Sequence, residues 1–291
     1  MKANRALMLQ QIRDLLQRAD AEGFAVPAFN YSDIWDFLAI VEAAEAERAP
    51  VFVASNERVT GEIGVDLCGA FGAAAMNKAA VPLIHHLDHC SQVQLCLDAV
   101  DNYYASVMID FSAQPLEDNI RAVKRVSSYA HERGTAVEGE IGRIKGAGIE
   151  GEFTGDEFLA GVDDVVRFVA ETQVDLLAVG IGTAHGFYKG KPEIRFDRLR
   201  EINDAVQVPL VLHGGTGIPE SHIRRAIHAG ICKVNVGTII HCTYMNAVRA
   251  QLLRLGENAY TLDVMKPVRE AIRDEVRKWI RICMADGKSG A

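Results

Sequence analysis

The sequence predicts a (β/α)8 TIM barrel with an extra C-terminal helix, and three observations carry that expectation. Eight short apolar, β-branched runs occur along the chain, each followed by a helix-like stretch. The length of 291 residues is long for one ordinary domain but normal for an α/β barrel, which takes roughly 250. Unusual polar residues gather at the ends of the runs, where barrels carry their chemistry. An open doubly wound sheet is the runner-up. No composition break marks a second domain, so residues 1–291 read as a single barrel domain.

Taken in order, Met1-Lys-Ala-Asn-Arg leads into an amphipathic helix and not an apolar signal segment. A strand is expected over 24–30 and a helix over 33–48, with Asp33 as its N-cap. A strand at 50–55 precedes one helix across 62–79. The third strand, 81–89, opens on the apolar run Val81-Pro82-Leu83-Ile84 and ends in His85-His86-Leu87-Asp88-His89. A helix near 91–101, a strand at 106–110 and a helix at 117–133 closed by Gly134 follow. The fifth strand is 135–142, then a glycine-rich loop runs from Arg143 to about Thr154. The later strands fall at 175–182, 208–215 and 233–238, with helices near 161–172, 197–205 and 219–229 between them. Beyond residue 238 the chain reads as helical, apart from a break near Gly256–Thr261.

Composition narrows the partners. A 49% hydrophobic, 24% charged chain can build a substantial core. Its net charge of −8, from 31 basic and 39 acidic residues, argues against nucleic acid or an anionic membrane as a general partner. Any anionic substrate must therefore be held by local donors. The six cysteines, Cys68, Cys90, Cys96, Cys232, Cys242 and Cys283, form no C-x-x-C pair and suit buried thiols in a reducing compartment. No apolar run approaches the roughly 18 residues that span a bilayer. The expected location is cytoplasmic.

Three histidines carry the chemistry. The third strand ends in Asp88-His89, the sixth in Gly182-Thr183-Ala184-His185-Gly186 and the seventh in His213-Gly214-Gly215-Thr216-Gly217. Any one alone is better explained as a satisfied rim or core histidine. Three at one barrel mouth match the three protein ligands of a catalytic zinc, so His89, His185 and His213 are the expected set. Neighbours on a strand point to opposite faces, so Asp88 and His89 share a site only if the strand ends there. His85 and His86 lie deeper and read as packing or supporting residues. On the fifth strand Glu138 and Glu140 fall on one face by their period of two. Glu140, nearer the end, is placed to visit a metal; Glu138 reads as structural support. Asp110 and Ser112, after the fourth strand, are placed to orient a ligand.

Glycine is the other recurring feature. Gly214-Gly215-Thr216-Gly217 and Asn235-Val236-Gly237-Thr238 each precede a helix at the strands where barrels bind phosphate through backbone N–H groups. That explains how an acidic protein holds an anion.

HLDH, VEGEIG, IGTAHGFY, LHGGTGIP and KVNVGT, in this order and spacing, resemble the class II, zinc-dependent ketose-bisphosphate aldolases. That family includes fructose- and tagatose-1,6-bisphosphate aldolases, and the pattern is nearer the tagatose-type branch. The resemblance covers nearly the whole chain, from AVPAFN onward. It implies Zn2+ on His89, His185 and His213, with Glu140 coordinating in some states and a monovalent cation as an optional companion. It makes Asp88 the group that exchanges a proton with the aldehyde-derived hydroxyl, and Glu150 the base on a loop. Gly186, Gly214, Gly215, Thr216, Asn235, Gly237 and Thr238 match the phosphate cradle of dihydroxyacetone phosphate, with Asn30 in the substrate-binding set. The chemistry fits: cleaving a C–C bond beside a ketone leaves an enediolate, whose charge a dication stabilises. No Schiff-base lysine is needed, and Lys145 reads as a solvated loop residue.

The pattern also departs from the family. Thr238-Ile239-Ile240-His241 lacks the acid, and the arginine that in some members grips the far phosphate. Ser55 matches a distal-phosphate serine, and Arg58 is the substitute grip to be weighed against an exposed helix start. In Lys145-Gly-Ala-Gly-Ile-Glu150-Gly-Glu152 the base is Glu150 or Glu152. The expectation is an aldolase with altered distal specificity, acting on a small sugar phosphate as a dimer or tetramer. A metal-dependent barrel hydrolase and a non-catalytic sugar-phosphate binder remain the alternatives.

Overall fold

The computed structural model describes residues 2–143, 158–184, 186 and 193–290. Eight parallel strands close into a barrel in chain order, with β1 pairing β8. They are β1 Val26–Asn30, β2 Val51–Asn56, β3 Leu83–Cys90, β4 Ser106–Ile109, β5 Ala136–Ile141, β6 Leu176–Val179, β7 Leu210–Leu212 and β8 Ile231–Val236. Helix α1, Lys2–Glu22, precedes the barrel. Around it stand α2 Ile34–Glu47, α3 Glu57–Ile63, α4 Val65–Lys78, α5 Val93–Asp101, α6 Leu116–His131 and α7 Val162–Thr172. The ring continues with α8 Phe196–Ala205, α9 Glu220–Ile227 and α10 Thr238–Leu255, and α11 Thr261–Ile282 is the extra C-terminal helix.

Local chemistry sets the element ends. Asp33 caps α2 by accepting from Trp35 N at 2.7 Å, while Asp36 accepts from Asp33 N at 3.0 Å, a reciprocal capping box. The single helix expected over 62–79 is two helices meeting at 101°. Gly64 lies between them at φ +101, a conformation that helical residues do not take. Gly134 (φ +70) closes α6 and also seats α1, since a Cβ there would meet the Arg5 carbonyl carbon at 2.4 Å. Helix α11 packs on α2 and is tied to it by Arg277 and Arg281, which donate to Glu47 at 2.6 and 2.7 Å.

The strands are buried along nearly their whole length, as a sheet covered by helices outside and filled inside requires. Among the described residues no single helix is long and apolar enough to cross a membrane; the bent α3–α4 pair meets that test by length and composition alone.

Candidate active site

The third strand solves a geometrical problem. Asp88 and His89 are sequence neighbours, yet both reach one cluster. The strand does not end between them, as the sequence suggested; it continues to Cys90 with a register shift between Leu87 and Cys90. His89 sits at φ +44, and this left-handed bulge turns its ring back toward the side Asp88 faces. Such backbone is costly for a non-glycine residue and persists where surrounding structure enforces it.

His89 meets His213, from the end of β7, with Nε2 and Nδ1 only 2.7 Å apart. Each ring has a carboxylate on its outer nitrogen. His89 Nδ1 lies 3.1 Å from Asp110, and His213 Nε2 lies 2.8 Å from Glu138. An ionised carboxylate only accepts, so each outer nitrogen carries its proton and each inner one presents a lone pair. Two lone pairs at 2.7 Å repel unless a proton or a cation sits between them. Burial disfavours the His89 imidazolium, but Asp88, the Asp110 hydrogen bond and Glu140 outweigh it and raise its pKa to about 10. His213 is lowered, by burial and by His89.

Asp88 stands beside this pair, buried and clamped by two amides. Asn30 Nδ2 donates to it at 2.8 Å and Asn235 Nδ2 at 2.9 Å. Burial pushes the carboxyl up, yet His89, His213 and Lys233 hold it far below the usual carboxylate range. Asp88, His89 and His213 present ligand atoms within 4.8 Å of one another, as do His89, Asp110 and Glu140. Ser112 Oγ links that second group, donating to Asp110 at 2.7 Å and reaching Glu140 at 3.0 Å. Burial raises Asp110, but its bonds to His89 and Ser112 bring it to about 2. Converging imidazole lone pairs, backed by carboxylates and flanked by more of them, are a donor set that fits zinc.

The glycine loops lie on the same face. Gly214 takes φ +70, and a Cβ there would meet Ala184 O at 2.2 Å, so the ends of β6 and β7 approach only through a bare backbone. Gly215 N donates to Asn235 O at 3.1 Å, and Thr216 Oγ1 accepts from Ile239 N at 3.3 Å, docking the β7 loop on the start of α10. Gly237 backs Asn30, and Thr238 opens α10. Gly186 has φ +90. His185, Glu150, Glu152 and Lys145 lie outside the described residues.

Ser55 is a correction. Its hydroxyl does not face the mouth: it is fully buried, 2.9 Å from Tyr104 OH and accepting from Thr60 at 2.8 Å. Alternation decides this, since Ser55 pairs in register with outward-facing Leu87, whereas Asn56 pairs with Asp88. Arg58 is exposed at the start of α3. His85 lies on the same outer side, 3.0 Å from Tyr31 OH.

Lys233 escaped the sequence reading. It is fully buried inside the barrel and donates to Glu138 at 2.7 Å. The signal was present, because Lys233 and Asn235 share a face of β8 by the alternation that paired Glu138 with Glu140.

A profile described as fructose-bisphosphate aldolase class-II matches residues 10–288. The chain belongs to the class II fructose-bisphosphate aldolase family. It is therefore an aldolase. A 6-phospho-5-dehydro-2-deoxy-D-gluconate aldolase from Halalkalibacterium halodurans is 37% identical over 97% of this chain and 99% of its own. Among solved structures, the YdjI aldolase from Escherichia coli K12 is 30% identical with a TM-score of 0.85, covering 96% of this chain and 98% of its own. A candidate fructose-1,6-biphosphate aldolase from Coccidioides immitis is 29% identical with a TM-score of 0.86, covering 99% of both chains.

Proposed function

We propose that this aldolase cleaves a phosphorylated keto-acid of the 6-phospho-5-dehydro-2-deoxy-D-gluconate type, releasing dihydroxyacetone phosphate and 3-oxopropanoate. The substrate class rests on the 37% identical relative of that name. In such a molecule the ketone is at C5, so retro-aldol cleavage breaks the C3–C4 bond. C4–C6 leave as the ketone phosphate, and C1–C3 as an aldehyde ending in a carboxylate. An aldehyde half without phosphate suits a chain whose Thr238-Ile239-Ile240-His241 segment carries neither the family's acid nor its arginine.

The observation that carries the reaction type is Asp88, an ionised carboxylate held between two amides beside the His89–His213 pair. Asp88 takes the C3 hydroxyl proton as the C3–C4 electron pair moves toward the ketone. Zinc on His89, His185 and His213, with Glu140 able to join, supplies a Lewis acid for the charge that develops there. Glu150 is our choice of the group that, in its protonated form, delivers a proton to C4 in cleavage and removes it as a base in the reverse direction. Gly186, Gly214, Gly215, Thr216, Asn235, Gly237 and Thr238 cradle the phosphate through backbone and side-chain donors. The exposed Met245, Leu252, Leu253, Tyr260 and Leu262, on α10, α11 and the turn between them, support self-association.

The test is zinc content, followed by NMR of deuterium exchange into dihydroxyacetone phosphate without aldehyde, with and without chelator. Exchange that the chelator abolishes supports the reading; absence of exchange in zinc-loaded protein refutes it. Cleavage of the keto-acid phosphate should exceed that of fructose or tagatose 1,6-bisphosphate. A clear preference for either bisphosphate would refute the substrate class.

A further inference from the structure

Lys233 and Glu138 form an ion pair sealed inside the barrel, below the residues that face the mouth. Both side chains are fully buried and meet at 2.7 Å. Phe52 packs against the lysine with its ring 5.2 Å from Nζ. A buried pair of this kind commonly stabilises no better than apolar residues of the same size, because desolvation offsets the attraction. Stability alone gives weak reason for it.

The second oxygen of Glu138 supplies the reason. Oε2 takes the lysine, and Oε1 faces His213 Nε2 at 2.8 Å. The carboxylate is thus held at both ends, and its plane is set by a residue two removed from the site. The bond from His213 Nε2–H to Oε1 sets the orientation of the buried ring, and in that orientation its Nδ1 points at His89 Nε2. His86 does not compete for the carboxylate, since its Nε2 lies 3.8 Å from Oε2.

We infer that Lys233 is a positioning residue for the metal site: by pinning Glu138, it fixes the His213 ring so that Nδ1 faces the zinc position. The inference rests on the zinc reading above. It assigns a supporting residue, on a different strand, to a histidine whose own strand is only three residues long. Such supporting contacts typically govern about 10- to 100-fold in metal affinity.

The experiment measures zinc dissociation constants by chelator competition for wild type, Lys233→Met, and the Lys233→Met/Glu138→Gln double variant. The double variant leaves no buried charge at the pair and keeps an acceptor for His213, so it serves if the single variant does not fold. We expect Lys233→Met to bind zinc about 10- to 100-fold more weakly and the double variant about 10-fold more weakly. The visible spectrum of the cobalt-substituted variants should also shift as the His213 ring is released. A packing role would lower the melting temperature and leave affinity and spectrum alone. Wild-type zinc affinity in either folded variant overturns the inference while the zinc reading stands. Failure of the wild type to take zinc overturns that reading itself.

Discussion

Two buried aspartates show how the same residue type serves two ends of one barrel. Asp175, at the start of β6 on the floor, takes Arg13 Nε at 2.7 Å, His131 Nε2 at 2.9 Å and Val137 N at 2.8 Å. Asp88, at the mouth, takes only the amides of Asn30 and Asn235 as hydrogen-bond donors among the described residues. Arginine quenches a carboxylate's charge and ties α1 to the barrel. An amide orients a carboxylate without neutralising it, so the charge stays available to a substrate proton. The surroundings differ in the same sense. At the mouth His89 holds φ +44, and buried Asn235 Oδ1 and Thr183 Oγ1 lack partners among the described residues. A network closed on itself favours stability, and one left open favours function.

Variants at the two ends should separate these roles. The largest effect is expected from His213→Ala, which on the proposed reading removes a zinc donor. Lyase activity should fall at least about 1000-fold, and zinc should be lost on dialysis. Asp88→Asn keeps shape and removes the charge. We expect cleavage to drop about 100-fold or more, with proton exchange into dihydroxyacetone phosphate falling by less. Equal losses in both assays would move Asp88 out of its assigned role.

Acid should expose the buried imidazoles. Burial lowers His85 and His86 from 6.5 to about 3, the first helped by His86 and the second by Lys233. Unfolded chains bind these protons below pH 6.5, so stability present at neutrality is lost as pH falls from 6.5 toward 3. The slope is up to about 1.4 kcal/mol per pH unit for each histidine. His85→Phe should flatten the slope between about pH 6 and 4 in urea unfolding of zinc-free protein. An unchanged slope would show that His85 does not contribute.

Asp175→Asn tests the floor. Arg13 is part-exposed, so we expect a loss of only about 2 kcal/mol and a melting temperature lower by several degrees. Zinc affinity should stay at the wild-type value; a fall would couple floor to mouth. The smallest effect on chemistry is expected from Leu253→Glu, at a side chain 81% exposed. It should lower the sedimentation mass toward one chain with kcat nearly unchanged.

Much of this was legible in the linear chain. Alternating apolar runs and helical stretches specify eight strands and the helices around them, because burial patterns follow local periodicity. The period of two placed Glu138 with Glu140, strand-end position singled out the histidines, and the resemblance gave Asp88 its expected role. What periodicity cannot carry is an interruption of itself. The bulge at His89, the break at Gly64 and the outward turn of Ser55 depend on register between strands far apart in sequence. The partners of buried charges are equally non-local: Lys233 meets Glu138 from 95 positions away, and Arg13 meets Asp175 from 162. A sequence states that such charges exist; only closure of the barrel decides which of them satisfy one another and which remain turned toward a ligand.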